Sequence, residues 1–309
     1  PALAAIGVPP PLLYVKGDTR HLIRPAVAIV GARNGSAAGQ KLARLFAARL
    51  GAAGLTIASG LARGIDAAAH EAALATGTIA VLAGGVDVVY PPEHRQLQAE
   101  IAERGCLVSE QPPGFAPRAQ DFPRRNRIIS GISLGVVIIE AARRSGTLIT
   151  ARMAAEQGRE VFAVPGHPLD PRAEGTNRLL KSGATMVTEP DDVLEALEPM
   201  LRERPAWDAG QPGGGGADHL ADAGGAPLVA PLVTPLVTPL ALPEVGAEER
   251  SRLLAALGPA PIDIDELARA TGLPIRSIQI ALIELDLAGR IERHGLQLVS
   301  LAGGPSDLR

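Results

Sequence analysis

The sequence predicts an α/β protein, a doubly wound parallel sheet with helices on both faces, followed by a small C-terminal winged helix-turn-helix unit. Three observations carry that reading. Short, continuously apolar runs alternate with alanine-rich helical patterns, and strands apolar on both faces belong to a sheet covered on both sides. Nearly every run ends in a glycine-containing loop. Beyond a proline-rich stretch, three helical patterns and a hairpin complete the last unit.

In chain order, a proline-rich lead-in precedes VAIV (27–30), LTIAS (55–59), TIAVLA (78–83), LGVVIIE (134–140), EVFAV (160–164) and TMVTE (185–189), each read as a strand. The loops GARNG, SGLARG, AGGVD, EAARRSGT and PGHP follow them. In a sheet of this class the ligand crevice lies beyond the carboxyl ends of the strands, so these loops converge although they are far apart in sequence. Composition then changes: QPGGGG leads into PLVAPLVTPLVTPLALP. Proline every fourth residue there excludes helix and sheet and favours extended polyproline, a semi-rigid spacer, the alternative being a segment that docks through its Leu and Val side chains. The expected divisions are a lead-in over 1–23, a core domain over 24–204, a linker over 205–245, a winged unit over 246–301 and a tail over 302–309.

In the winged unit AEERSRLLAALG reads as the first helix, Asp263 with Glu266 as a capping box opening the second, Pro274 as the first turn of the third, and His294-Gly295 as the turn of the hairpin. Duplex DNA binding is the ordinary role of this fold. Its six Arg against eight Asp and Glu, with only Arg276, Ser277 and Gln279 at the reading positions, favour a protein contact at least as much.

The formal net charge of the 309 residues is −3, and no apolar run is long enough to cross a bilayer, so the expectation is a soluble cytoplasmic protein without a membrane partner. One cysteine, Cys106, and six histidines without paired-ligand spacing predict neither an internal disulfide nor a bound metal. With aromatics at 2%, a nucleic-acid ligand would be held mainly by its backbone. The run FPRRNRIISG is the most informative feature. It sets Arg124, Arg125, Arg127 and Asn126 between an aromatic-proline stop and an apolar strand, a cluster that repels itself unless it faces an anion. From Arg118 to Lys181 eleven Lys and Arg stand against six Asp and Glu, an excess of +5 in an otherwise slightly acidic chain, as expected of a phosphate-binding face.

Glycines 31, 35 and 39 resemble a dinucleotide fingerprint, but their spacing is not G-x-G-x-x-G, and no G-x-x-x-x-G-K-[ST] occurs, so no nucleotide cofactor is expected. What remains is a set of glycine-permitted backbone N–H groups at helix starts: GARNG, SGLARG with Arg63, and RRSGTLITA. Ser59 and Ser145 lack a histidine partner, and His70, His94 and His167 lack a nucleophile. Asp66 is read as orienting the Arg63 loop and Glu140 as pairing with the arginines. No catalytic constellation emerges, and the chain is read as non-enzymatic.

VAIVGAR, SGLARGIDAAAH, TIAVLAGGVDVVYP, FPRRNRIISG, SGTLITARMAAEQGREVFAVPG and GTNRLLKSGA closely resemble the DNA-processing family DprA, also called Smf, over roughly residues 12–197. The resemblance implies an extended Rossmann-like fold that binds single-stranded DNA, forms a homodimer and loads the recombinase RecA during natural transformation. It carries over a phosphate pocket of Arg33, Ser59, Gly60, Arg63 and Gly64, extended by Arg124, Asn126, Arg127, Ser145, Gly146, Thr147, Asn177 and Lys181. Two departures stand out. Ala32 occupies a position where many members have Ser, removing a hydroxyl donor, and the lead-in looks like only the tail of the small helical domain that members begin with, as in a shortened member or a fragment. The competing reading is a nucleotide phosphoribohydrolase of the lysine-decarboxylase-like family, whose P-G-G-x-G-T-x-x-E motif is only partly echoed because ARRSGTLIT lacks its Glu. A third is an adaptor working through the spacer and winged unit.

Overall fold

The computed structural model describes residues 2–202, 246–294 and 298–302. The core sheet has eight strands in the order β1-β5-β4-β3-β2-β6-β7-β8. These are β1 (Tyr14–Gly17), β2 (Ala26–Gly31), β3 (Thr56–Ser59), β4 (Thr78–Leu82), β5 (Cys106–Ser109), β6 (Gly135–Ile139), β7 (Glu160–Ala163) and β8 (Thr185–Met186). All neighbours are parallel except β1, which runs antiparallel along β5 at the edge. The six expected strands are present, each within a few residues of its expected bounds; β1 and β5 are additions. The chain winds outward from β2 through β3 and β4, then returns to lay β6 on the other side of β2, so the switch point falls between β2 and β6.

Alternation along the central strands sets the two layers. Val27 and Ile29 of β2, with Val137 and Ile139 of β6, bury against α1 (Ala37–Ala52), α2 (Ile65–Ala73) and α7 (Pro190–Arg202). Ala28, Val30, Val136 and Ile138 point the other way, into α4 (Asp121–Ile132) and α5 (Thr147–Glu156). The face of α1 reads Ala43, Phe46, Ala47, Leu50, the helical spacing of a buried stripe, all four fully enclosed. Ser36 caps it by accepting from the Gly39 N–H at 2.9 Å. Towards the β1 edge, α3 (Arg95–Arg104) packs Leu97 and Ile101 on Ala80, Leu82 and Leu107. Beyond β7, α6 (Glu174–Lys181) leads into β8.

FPRRNRIISG, expected to run from a proline stop into a strand, lies inside α4. Pro123 sits in the first turn, where backbone N–H groups have no intrahelical partner, so its missing donor costs nothing.

The winged unit comprises α8 (Ala247–Ala256), β9 (Ile262–Asp263), α9 (Ile264–Thr271), α10 (Ile275–Leu287), β10 (Ile291–His294) and β11 (Leu298–Leu301), with strand order β10-β11-β9. Leu253, Leu267, Ile278, Leu282 and Leu285 form its core, which continues onto Ala37 of α1. Asp263 caps α9 by accepting from the Asp265 N–H at 2.8 Å. The expected capping box is incomplete: the buried Glu266 turns away to Arg44 of α1 at 2.8 Å and to Arg269 at 2.5 Å. Pro274 stands immediately before α10. The hairpin pairs His294 with Leu298, and both the expected turn residue Gly295 and the expected linker at 205–245 lie outside the described residues. Among the described residues no helix is long and apolar enough to cross a membrane.

Candidate functional site

The loops at the carboxyl ends of β2, β3, β4 and β6 meet at the switch point and enclose three adjoining hollows of about 340, 1030 and 640 Å³. Arg33 and Asn34, in the loop after β2, line all three.

Glycine makes the junction possible. Gly64 opens α2 at φ +73, and a Cβ there would lie 2.5 Å from the Ala32 carbonyl oxygen and 2.6 Å from that of Arg33. The β2 and β3 loops therefore touch backbone to backbone. Beneath them Asp66, fully buried, accepts from the N–H groups of Gly60 at 3.1 Å and Ala62 at 3.4 Å, the orienting role expected of it. Burial pushes its carboxyl pKa up, and the Arg125 charge and the backbone donors pull the other way. Leu61, in the same loop, is held at φ +55, a conformation a leucine adopts only under constraint.

The arginines of α4 do not act as one cluster. Positions three apart share a helix face, so Arg124 and Arg127 both reach Glu110, at 3.2 and 2.6 Å, and the Arg127 side chain is only 14% exposed. Arg125 points inward, donating to the Gly60 carbonyl at 2.7 Å and to the Val81 carbonyl. Its enclosure lowers the guanidinium pKa to about 10. The expected self-repelling run is thus corrected: the helix separates the three charges, one carboxylate partners two of them, and the third fastens the β3 and β4 strand ends. Asn126 lines the largest hollow.

Other expected ligands are also engaged internally. Ser59 is buried and donates its hydroxyl to the Ile29 carbonyl at 2.6 Å. Thr147 donates to the Gly31 carbonyl at 2.9 Å, and its N–H is accepted by the Ser145 hydroxyl at 3.2 Å, which braces the start of α5. Gly146 stays exposed there and lines the largest hollow with Ser145. Asn177 clamps Gly166, donating to its carbonyl at 2.9 Å and accepting from its N–H at 3.2 Å. Lys181 lies exposed at the end of α6, and neither it nor Asn177 lines these hollows. Arg63 is exposed and paired with Glu93.

Glu140 overturns its expected pairing with the arginines. At φ +52 it folds its carboxylate over the start of α1, accepting from the Ser36 N–H at 2.8 Å and from the Ser36 hydroxyl. A Cβ on Gly39 would fall 2.6 Å from the Glu140 Cδ, so the third glycine of the near-fingerprint admits a carboxylate. In a dinucleotide-binding sheet that helix start receives the pyrophosphate. Here the protein's own anion fills it.

Several lining residues escaped the sequence reading. Arg144 is exposed over the largest hollow and, like Arg33, forms no ion pair among the described residues. Arg33 lies over the Phe122 ring at 5.3 Å, and Phe122 meets Tyr90 at 5.3 Å between centroids. Arg172, held by Asp170 at 3.0 Å, donates to the carbonyls of Ala255 and Leu257 at 2.8 and 2.7 Å and ties the core to the winged unit. The doubled arginine of RRSGT was the signal available for Arg144; the ring pair, contributed by segments 32 residues apart, had none.

The family model described as DNA recombination-mediator protein A matches residues 1–198, and that described as the DprA winged helix domain matches residues 237–295. Protein Smf of Escherichia coli (strain K12) is 42% identical over 294 residues, covering 94% of this chain and 72% of that protein. The X-ray structure of DNA processing protein A from Streptococcus pneumoniae aligns at a TM-score of 0.61 with 45% identity, over 63% of this chain and 69% of that one. DNA processing protein A from Helicobacter pylori, whose structure concerns its single-stranded DNA binding mode, aligns at 0.61 with 32% identity, over 64% and 92%. Core sheet, winged unit and both matches agree: the chain belongs to the DNA recombination-mediator protein A family, the DprA/Smf proteins.

Proposed function

We propose that this chain binds single-stranded DNA along the carboxyl edge of the sheet, through its backbone and with little sequence preference, and that it acts in the cytoplasm as a homodimer that hands the strand to RecA. The observation that carries the reading is the set of exposed cations, Arg33, Arg63 and Arg144, with the neutral amide of Asn34 beside them, around hollows walled by the Tyr90–Phe122 pair. Each cation can meet a phosphate. The ring pair offers a face for a base to stack on. The single-stranded DNA binding mode described for the Helicobacter pylori relative supports the same ligand. Gly60, Gly64, Ser145 and Gly146 would shape the backbone of this site, while Ser59, Arg125 and Thr147 would hold its loops from within. Arg124, Arg127 and Lys181 would add long-range attraction.

The phosphoribohydrolase reading has little support. The third residue after Thr147 is the buried Thr150 in place of an acid, and Glu140 is committed to Ser36. We read the chain as turning over no nucleotide.

Titration of a labelled oligothymidine by fluorescence anisotropy at several salt concentrations tests the function. For single strands the log–log slope is about −0.7 per phosphate neutralised. Combined Arg33→Ala and Arg144→Ala substitution should lower affinity and flatten the slope by about 1.4. An unchanged slope in that variant, or release of free base from a nucleoside monophosphate by the purified protein, would overturn the reading. Light scattering at micromolar concentration checks the dimer.

A further inference from the structure

The hollow of about 640 Å³ lies between the core and the winged unit, and its wall is strongly basic. Arg33, Arg44 and Arg63 come from the core, Arg252 and Arg269 from the winged unit, and the only carboxylate in the lining is Glu71. Counting also Glu93 and Glu266, which pair with these arginines from outside the lining, five cations face three anions, a surplus of +2. No Phe, Tyr or Trp lines the cleft, where His94 supplies the one ring, in contrast to the neighbouring hollow with Tyr90 and Phe122. Such a wall suits a phosphodiester backbone better than bases or an apolar peptide.

Two features give the cleft a direction. Arg33 and Asn34 line the cleft and also the hollows at the sheet edge, so a strand lying on that edge has a shared polar wall, with the Arg33 charge in it, leading into the cleft. On the winged side Arg252 is exposed and forms no ion pair among the described residues, whereas Arg250 and Arg293, away from the cleft lining, pair with Glu284 and Asp286. The reading helix α10 exposes Ile275, Ile283 and Leu287 beside those acids and carries one cation, Arg276, a surface poorly suited to a nucleic-acid backbone.

We propose that the cleft between the core and the winged unit is a second single-strand site, which takes the backbone of the strand as it leaves the sheet edge. The winged unit thus contacts nucleic acid through Arg252 and Arg269 on its core-facing side, and α10 takes no part. This rests on the single-strand reading above, and it gives a nucleic-acid role to a unit whose net charge favours a protein contact at least as much.

The experiment uses the full chain and oligothymidines of increasing length, with Arg252→Ala, Arg252→Glu and Arg33→Ala. Arg252 is exposed and forms no ion pair or hydrogen bond among the described residues, so its replacement should leave the fold intact. Arg252→Ala should match the wild type on the shortest oligomers. It should lose affinity beyond a threshold length, with a salt slope flatter by about 0.7 there, and Arg252→Glu should lose more. Loss at all lengths for Arg33→Ala but at none for Arg252→Glu would remove the cleft and spare the sheet-edge site. No loss for either variant would overturn both. A loss for Arg252→Glu confined to duplex oligomers would replace this proposal by conventional duplex binding.

Discussion

Asp66→Asn is the sharpest test of how the site is held. The carboxylate is buried, accepts two backbone N–H groups of the SGLARG loop, and acts through space on the charge of the enclosed Arg125. The amide keeps the shape and one acceptor oxygen but removes that charge, leaving Arg125 buried with carbonyl partners only. Weakening the bonds to two backbone N–H groups and leaving the buried guanidinium without that charge should cost about 1–3 kcal/mol. For a unit of about 200 residues, at roughly 2–4 °C per kcal/mol, the midpoint of thermal unfolding should fall by about 2–12 °C. Circular dichroism on the purified variant measures it. Arg125→Met should cost a similar amount, and the double variant less than the sum, because neither charge is then left alone. A Tm within about 2 °C of the wild type for Asp66→Asn, or strict additivity in the double variant, would show that the pair does not hold the loops.

Two further outcomes follow from the same packing. Gly39→Ala should cost about 1–3 kcal/mol by driving a methyl into the Glu140 carboxylate, and the cost should largely vanish in a Glu140→Ala background; urea unfolding of the four species measures the coupling, and full additivity would contradict the contact. His70 is buried, with its Nδ1 2.7 Å from the Thr78 hydroxyl, and burial depresses its pKa to about 3. The unfolded chain therefore takes up a proton near pH 6.5 that the folded chain refuses until about pH 3, so stability falls as pH falls across that window, by up to about 1.4 kcal/mol per unit. His70→Gln should flatten this limb of the stability curve, and an unchanged slope would show that His70 is not its source.

The central strands β2, β3, β4 and β6 are buried at every residue and were legible as continuous apolar runs. β1 and β5 were not legible: β1 is largely exposed, so no apolar run marks it, and the buried β5 offers only Cys106, Leu107 and Val108 as its apolar run. The helical nature of α4 was hidden by Pro123 and the arginines, although Arg125, Ile128 and Ile129 already follow its buried stripe. The loops were the reverse case. Their convergence could be read from the fold class, but not the destination of each polar side chain, since Ser36 and Glu140 are 104 residues apart and Thr147 and Gly31 are 116 apart. A serine or threonine in a glycine loop looks the same whether it faces a phosphate or braces a neighbouring carbonyl. Only the tertiary pairing decides, and here it commits Ser59 and Thr147 to carbonyls.

That division bears on what the site can hold. A mononucleotide site gathers many donors on one phosphate group, as a glycine-rich loop does at the start of a single helix. In this chain the start of α1 is occupied by Glu140, and the exposed cations are dispersed: Arg33 at the junction, Arg144 over the large hollow, Arg63 and Arg252 along the cleft. A single phosphate meets one or two of them and gains little above solvent. A polymer that brings successive phosphates to all of them turns each later contact into an intramolecular one, so weak individual contacts combine into strong binding. The dispersal that argues against a nucleotide enzyme is the arrangement a strand-binding protein requires.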